Sequence, residues 1–207
     1  MLIGMAVVLS AAVCCQDSSS YRRSIADEEE SHPVECVLMG RLGAWVGRDF
    51  NFQATRTDGK VSTSKQEALF SASLLGGIEL YDHFLVLGAV EGDAASKITS
   101  QLAGVYLGWH DRPKERYGKG VPDEATIYAG ALGGSLKVHE TDFGDFDRGY
   151  GAGAGISLGW VLTSHMSVDV YGEYRYLKFD YQRDVVSGDK SIGGNTGLFG
   201  LGVRFQF

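Results

Sequence analysis

The residues from Asn195 to Phe207, N-T-G-L-F-G-L-G-V-R-F-Q-F, constrain the fold of this chain more than any other stretch. Alternate residues of a β-strand point to opposite faces. One face of this strand is apolar, whereas the other is small or polar apart from Leu198. The apolar face carries Phe199, Leu201, Val203, Phe205 and Phe207. This pattern is typical of a strand that faces lipid on one side and a small, polar lumen on the other.

A final strand of alternating hydrophobic residues that closes on Phe resembles the C-terminal signature of bacterial outer-membrane β-barrels. In that family the barrel assembly machinery recognises this strand. The resemblance therefore implies that Val203, Phe205 and Phe207 form an assembly signal. Taken alone, the strand also allows a soluble edge or sandwich strand that ends in Phe.

Composition excludes several classes of protein. Apolar residues make up 44% of the 207 residues and charged residues 22%, as in ordinary folded proteins. The net charge of −7 disfavours nucleic-acid binding, which needs a basic surface. No apolar stretch reaches the ~18 to 20 residues of a membrane-spanning helix. A membrane protein of this sequence would therefore span as a barrel.

The N-terminal region is predicted to lie outside the folded domain. Residues 1–15 are apolar and end in small residues, as in a signal peptide, although no Lys or Arg lies near the start. Cleavage would follow Ala12; the alternatives are lipidation of Cys14 or Cys15, or an uncleaved helix. Residues 16–35 are polar and are predicted to form a mobile leader. The barrel would then occupy residues 36–207.

The remainder of the chain divides into eight strand-like segments separated by polar or turn-forming residues. These run about 37–52, 68–80, 84–91, 101–110, 125–138, 150–161, 167–179 and 195–207. Long polar connections are predicted at the outer surface: Gln53–Glu67, Gly92–Ser100, His139–Arg148 and Tyr181–Gly194. Short connections follow the second and sixth segments, an alternation typical of outer-membrane barrels, but the long connection Asp111–Glu124 departs from it.

Together these features predict an all-β fold, an eight-stranded antiparallel up-and-down transmembrane β-barrel. Residues 159–178 and 80–87 resemble strand–turn–strand hairpins of the eight-stranded outer membrane protein A-like family. The resemblance covers about residues 36–207 and implies a location in the bacterial outer membrane. Its motifs are structural patterns, so it implies a fold rather than an activity.

Five charged residues fall on the side of the strands assigned to the lumen. They are Glu79, Asp169, Glu173, Arg175 and Arg204. An eight-stranded barrel is about wide enough to be filled by side chains, and buried charges are costly unless paired. We therefore predict an internal charge network that fills the lumen, with direct carboxylate contacts to Arg175 or Arg204. The alternative is a narrow pore whose selectivity these charges adjust.

Two groups of residues have the residue types of chemical sites. His165, Ser167 and Glu173 have the residue types of a hydrolytic triad, as in outer-membrane lipid A deacylases. However, His165 and Ser167 lie at a short turn and Glu173 lies on the lumen side, so we predict no enzyme. His139 with Asp142, Asp145 and Asp147 could bind a cation, but the sequence favours an acidic loop. No cofactor or metal site is predicted.

The predicted function is a non-enzymatic, monomeric outer-membrane barrel that supports envelope integrity or presents its loops for adhesion. Its expected partners are outer-membrane lipid, the barrel assembly machinery and a host or phage surface ligand, with no nucleic acid. The chief alternative is a small-solute channel. A soluble lipocalin-like ligand binder is disfavoured because the residues assigned to the lumen are mainly glycine, serine and charged residues.

Overall fold

The chain forms a closed barrel of eight antiparallel strands in sequence order. The computed structural model describes residues 34–55, 61–95, 98–112, 121–139, 145–180 and 191–207. The strands are β1 (Glu35–Thr55), β2 (Val61–Leu80), β3 (Phe84–Ala94), β4 (Ile98–Asp111), β5 (Glu124–Val138), β6 (Asp145–Thr163), β7 (Met166–Asp180) and β8 (Ser191–Gln206). The predicted all-β, eight-stranded barrel is confirmed. The described ranges contain no helix long and apolar enough to cross a membrane. The predicted signal peptide and most of the leader lie outside these ranges.

The first and last strands close the barrel. β1 pairs antiparallel with β8 from Val37 opposite Gln206 to Val46 opposite Gly197. Beyond this ladder, Cys36 N–H donates to the Phe207 carbonyl at 3.1 Å, and Phe207 N–H donates to the Cys36 carbonyl at 3.0 Å. Because β1 also pairs with β2, closure leaves no open sheet edge.

The connections fall at two ends of the barrel. One end of the barrel, named here the loop end, carries the connections β1–β2, β3–β4, β5–β6 and β7–β8. The β2–β3, β4–β5 and β6–β7 connections lie at the other, the turn end. In the β2–β3 turn, Tyr81 and Asp82 have φ of 55° and 60°. This left-handed backbone suits the mirror-image turns that match the twist of a hairpin.

The strands extend farther toward the loop end than the sequence predicted. β1 and β2 contain 21 and 20 residues, so most of Gln53–Glu67 is strand rather than connection. The same is true at the edges of the other three predicted surface segments, because β3, β4, β6 and β8 each extend into one. A strand needs only about 9 to 11 residues to cross a bilayer. Backbone pairing thus continues past the apolar zone into polar sequence.

The outer face of the barrel is an exposed apolar belt. Leu42, Phe70 and Ile127 are 68%, 75% and 57% exposed, and Leu201 is 61% exposed. In β8 and at the residue that follows it, Val203, Phe205 and Phe207 point outward, while Arg204 is 2% exposed and points inward. An outer surface of this kind is suited to lipid rather than water.

The interior holds the glycine, serine and charged residues that the sequence assigned to it, but these residues do not fill it alone. An apolar cluster fills its loop-end part, including Trp45, Leu69, Ile98, Leu136 and Phe179. The inward glycines of β6 make room for such large groups, since a Cβ at Gly149 would lie 2.3 Å from Phe179. A Cβ at Gly155 would lie 2.7 Å from the Tyr128 ring. Small residues on one wall therefore allow aromatic side chains from other strands to occupy the lumen.

Candidate functional site

The middle of the lumen is bridged by an ion-pair cluster centred on Arg175 of β7. Its guanidinium forms a two-pronged contact with Glu91 of β3, in which Nη1 contacts Oε1 and Nη2 lies 2.9 Å from Oε2. Arg175 Nε donates to Glu173 Oε1 at 2.5 Å. All three side chains are buried. Two parallel contacts between a guanidinium and a carboxylate are among the stronger and more directional hydrogen bonds in proteins.

Aromatic side chains complete this mid-lumen cluster. Tyr106 O–H donates to Glu173 Oε1 at 2.9 Å, and its oxygen lies 3.3 Å from Arg175 Nη2. Arg41 lies between the rings of Tyr128 and Tyr171, with its guanidinium carbon 4.7 Å and 4.8 Å from the ring centroids. Such cation–π contacts compensate the burial of a guanidinium. The cluster therefore places two arginines against two carboxylates and several rings.

A second cluster lies nearer the turn end and is centred on His110 of β4. His110 Nδ1 is 2.8 Å from Glu79 Oε1, and His110 Nε2 is 2.8 Å from Arg204 Nη1. Because the arginine can only donate, Nε2 accepts and Nδ1 carries the proton in this arrangement. Arg204 also donates to Thr126 Oγ1 at 2.8 Å.

Acidic residues from three strands surround Arg204 and His110. Arg204 lies 3.5 Å from Glu124 Oε2 and 3.5 Å from Asp169 Oδ2. His110 Nε2 lies 3.8 Å from Glu124 Oε2. The side chains of these residues are at most 3% exposed. This turn-end cluster joins β2, β4, β5, β7 and β8.

Arg112, in the β4–β5 connection, covers the turn-end cluster. Its Nε donates to Glu124 Oε1 at 2.7 Å, and its Nη2 contacts Gln206 Oε1. Gln206 Nε2 in turn donates to Glu79 Oε2 at 2.5 Å. The connection whose length departs from the alternation thus supplies a residue that covers the lumen. A cavity of about 250 Å³ remains at this mouth, lined by Glu35, Arg112, Ser164, His165, Gln206 and Phe207.

The structure places all five sequence-predicted lumen residues inside the barrel. Each of Glu79, Asp169, Glu173, Arg175 and Arg204 is at most 3% exposed. Arg175 contacts Glu173 directly, whereas Glu79 and Arg204 meet through His110. Sequence reasoning did not select Glu91, Tyr106, His110 or Glu124. For Tyr106 and His110 a signal was present, because both alternate with outward-facing Val105, Leu107 and Trp109.

The candidate chemical sites do not assemble in the described residues. His165 lies exposed in the β6–β7 turn with Nδ1 3.1 Å from the Gln206 carbonyl, while Ser167 and Glu173 are buried in the lumen. In the part of the chain that the structure describes, no group of three or more His, Cys, Asp and Glu is placed to hold a metal ion. Asp142 and the side chains of Asp145 and Asp147 lie outside the described residues.

Comparison with solved structures supports the fold. The chain is similar to neisserial surface protein A, with a TM-score of 0.55 and 14% identity over 84% of this chain and 99% of that one. The N-terminal β-barrel domain of Pseudomonas aeruginosa OprF gives a TM-score of 0.49 and 14% identity, over 83% of this chain and 97% of that domain. No protein-family profile matches the sequence, and no curated protein matches it significantly. The resemblance to eight-stranded outer-membrane barrels is thus confirmed at the level of fold.

Proposed function

We propose that this protein is a non-enzymatic, monomeric outer-membrane barrel with a filled interior, which supports the cell envelope or contacts other surfaces through its loop end. The exposed apolar belt supports contact with membrane lipid, because such a surface in water would favour aggregation. The outward-facing Val203, Phe205 and Phe207 support recognition by the barrel assembly machinery. The long β1–β2 hairpin supports a role at the loop end, where a host or phage surface would be met.

The observation that carries this proposal is the filled lumen. Arg175 reaches from β7 to Glu91 on β3, so the mid-lumen cluster extends from one wall to the opposite wall. Apolar side chains fill the loop-end part, and Arg112 covers the turn-end cluster. A barrel filled in this way acts through its surfaces rather than by passing solutes.

The second candidate is a small-solute channel. The observation that favours it is the cavity of about 250 Å³ at the turn-end mouth, which adjoins the polar turn-end cluster through Arg112 and Gln206. A channel would require both clusters and the apolar loop-end side chains to move aside together.

Deletion of the protein in its own cells tests the proposed role. Loss of envelope support should raise sensitivity to detergents and to large antibiotics, and the full chain should restore resistance. A variant in which residues 181–190 are replaced by Asn-Gly separates the two roles. This variant should restore resistance if the barrel itself supports the envelope. It should fail to restore surface attachment if residues 181–190 make the contact with other surfaces. Unchanged resistance and attachment in the deletion strain would contradict the proposal.

A further inference from the structure

The outward-facing basic side chains are gathered in one part of the barrel. Of the Lys and Arg side chains that the structure describes, three project from the outer face of a strand: Lys137 of β5, Arg148 of β6 and Lys178 of β7. These strands are adjacent, and all three residues lie toward the loop end. The whole chain carries a net charge of −7, so these three basic residues are opposite in sign to the net charge of the chain.

Arg148 and Lys178 belong to a compact cross-strand patch. Arg148 pairs with Asp180 and Tyr150 pairs with Lys178, so the four side chains share the outer face of β6 and β7. Lys178 Nζ lies 5.9 Å from the Tyr150 ring centroid and 3.9 Å from Asp180 Oδ1. The Lys178 side chain remains 35% exposed. It is therefore held beside the ring while it stays accessible.

The patch lies at the boundary of the apolar belt. Tyr176 and Tyr174 lie next to the patch on the side of the membrane centre, and they are 47% and 61% exposed. Below them the outer face becomes purely apolar, with Ile156 and Phe199. Tyrosines of this kind form the aromatic girdle at the headgroup level of outer-membrane barrels. The basic residues thus sit just above the point where acyl chains would begin.

We propose that Arg148 and Lys178 bind the phosphate of a phosphorylated lipid headgroup in the outer leaflet, with Tyr150 supporting Lys178. The guanidinium group of Arg and the ammonium group of Lys are the groups with which proteins commonly bind phosphate. Acyl chains of the same lipid would lie against Tyr176, Ile156 and Phe199. Asp180 limits the patch to a modest net positive charge.

The occupant is a lipid rather than a soluble phosphate because the cations adjoin the apolar belt. A free ion would use only the charged row and leave the tyrosines and apolar residues beneath unused. This inference rests on the proposed outer-membrane placement. It goes beyond that placement by assigning a headgroup chemistry to one side of the barrel.

The test uses the full chain purified in a neutral detergent, with native mass spectrometry of bound lipid. The probes are bisphosphorylated lipid A and the same lipid without its phosphates. The variant Arg148→Gln/Lys178→Gln should raise the Kd for the phosphorylated lipid by about thirtyfold, because each surface cation near a membrane contributes about fivefold. Binding of the dephosphorylated lipid should be weak and unchanged.

The control variant is Thr163→Asp/Ser164→Asp, which lowers the charge by the same two units at the exposed β6–β7 turn. It should bind the phosphorylated lipid as the wild type does. Equal affinity of both variants, or displacement of the lipid by an equimolar amount of inorganic phosphate, would overturn the inference. Heat-modifiable migration on gels shows that each variant is a folded barrel, so failure of lipid binding is distinguishable from failure of the proposed function.

Discussion

Arg175 on β7 and Glu91 on β3 lie on opposite walls of the barrel and are joined by a two-pronged ion pair, with Arg175 Nη2 2.9 Å from Glu91 Oε2. In a ring of eight strands, these two strands are four positions apart, so the pair spans the full width of the lumen. The contact ties together parts of the chain that share no backbone pairing. It is therefore the feature on which the filled-lumen account depends most.

Removing one partner of this pair should destabilise the barrel. Arg175→Ala leaves Glu91 and Glu173 buried without their cation, which costs about 3 to 5 kcal/mol in comparable sites. Denaturant unfolding of the reconstituted barrel, followed by tryptophan fluorescence, measures the change. The double variant Arg175→Met/Glu91→Met should lose less than Arg175→Ala, because it leaves one buried carboxylate, that of Glu173, without its cation instead of two. The single variants Arg175→Met and Glu91→Met complete the comparison. If the double variant loses as much stability as the two single variants lose in sum, the ion-pair account is refuted.

The inward glycines of β6 should be intolerant of even one methyl group. A Cβ at Gly155 would lie 2.6 Å from the Gly172 carbonyl and 2.7 Å from the Tyr128 ring. Gly155→Ala should therefore lower the free energy of unfolding by about 1 to 3 kcal/mol, as overpacking does. Gly40→Ala is the matched control, since a Cβ at Gly40 meets nothing within 4 Å. Equal effects of the two substitutions would argue against a tightly packed lumen.

The outward faces of β7 and β8 should tolerate charge less well the deeper it lies in the membrane. Leu201→Arg places a guanidinium in the middle of the apolar belt, which costs about 2 to 4 kcal/mol. Tyr176→Arg lies near the headgroup level and should cost about 0 to 1 kcal/mol. Unfolding in lipid vesicles gives both values. If Leu201→Arg proves as mild as Tyr176→Arg, the belt does not face lipid at Leu201.

The predicted assembly signal can be separated from barrel closure. Deleting Phe207 removes both its ring and the two backbone hydrogen bonds with Cys36, whereas Phe207→Ala keeps the backbone. If the ring is read by the assembly machinery, both variants should reach the membrane at reduced levels in cells. Phe207→Ala should nevertheless fold normally into detergent micelles in vitro. Normal membrane levels of both variants would remove the assembly role.

Much of the fold was predictable because the chain alternates so regularly. In β6 and β8, glycine, serine or charged residues alternate with apolar ones, and this pattern alone assigned each side chain to lipid or lumen. The connections were less predictable. Polar residues at the ends of β1 and β2 do not show whether backbone pairing continues, and here it extends to Thr55 and Val61.

The interior was only partly predictable, for two physical reasons. β3 is apolar on both faces over Phe84–Val90, so alternation could not assign Glu91 to the lumen. Glu124 and Arg112 lie at a strand end and in a charged connection, where sequence gives no direction for a side chain. The partners of Arg175 and Arg204 depend on which strands face each other across the barrel. The local sequence pattern carries no information about which side chains meet across the lumen.

Conductance across a planar bilayer tests the filled lumen most directly. The purified wild-type barrel, inserted at known density and shown to be folded by its heat-modifiable migration, should produce no stepwise current in salt solution. A general porin inserted in the same bilayer serves as the positive control. Steady unit conductance from the wild-type barrel, with an ion selectivity that changes in Arg175→Ala, would contradict the account and establish a channel.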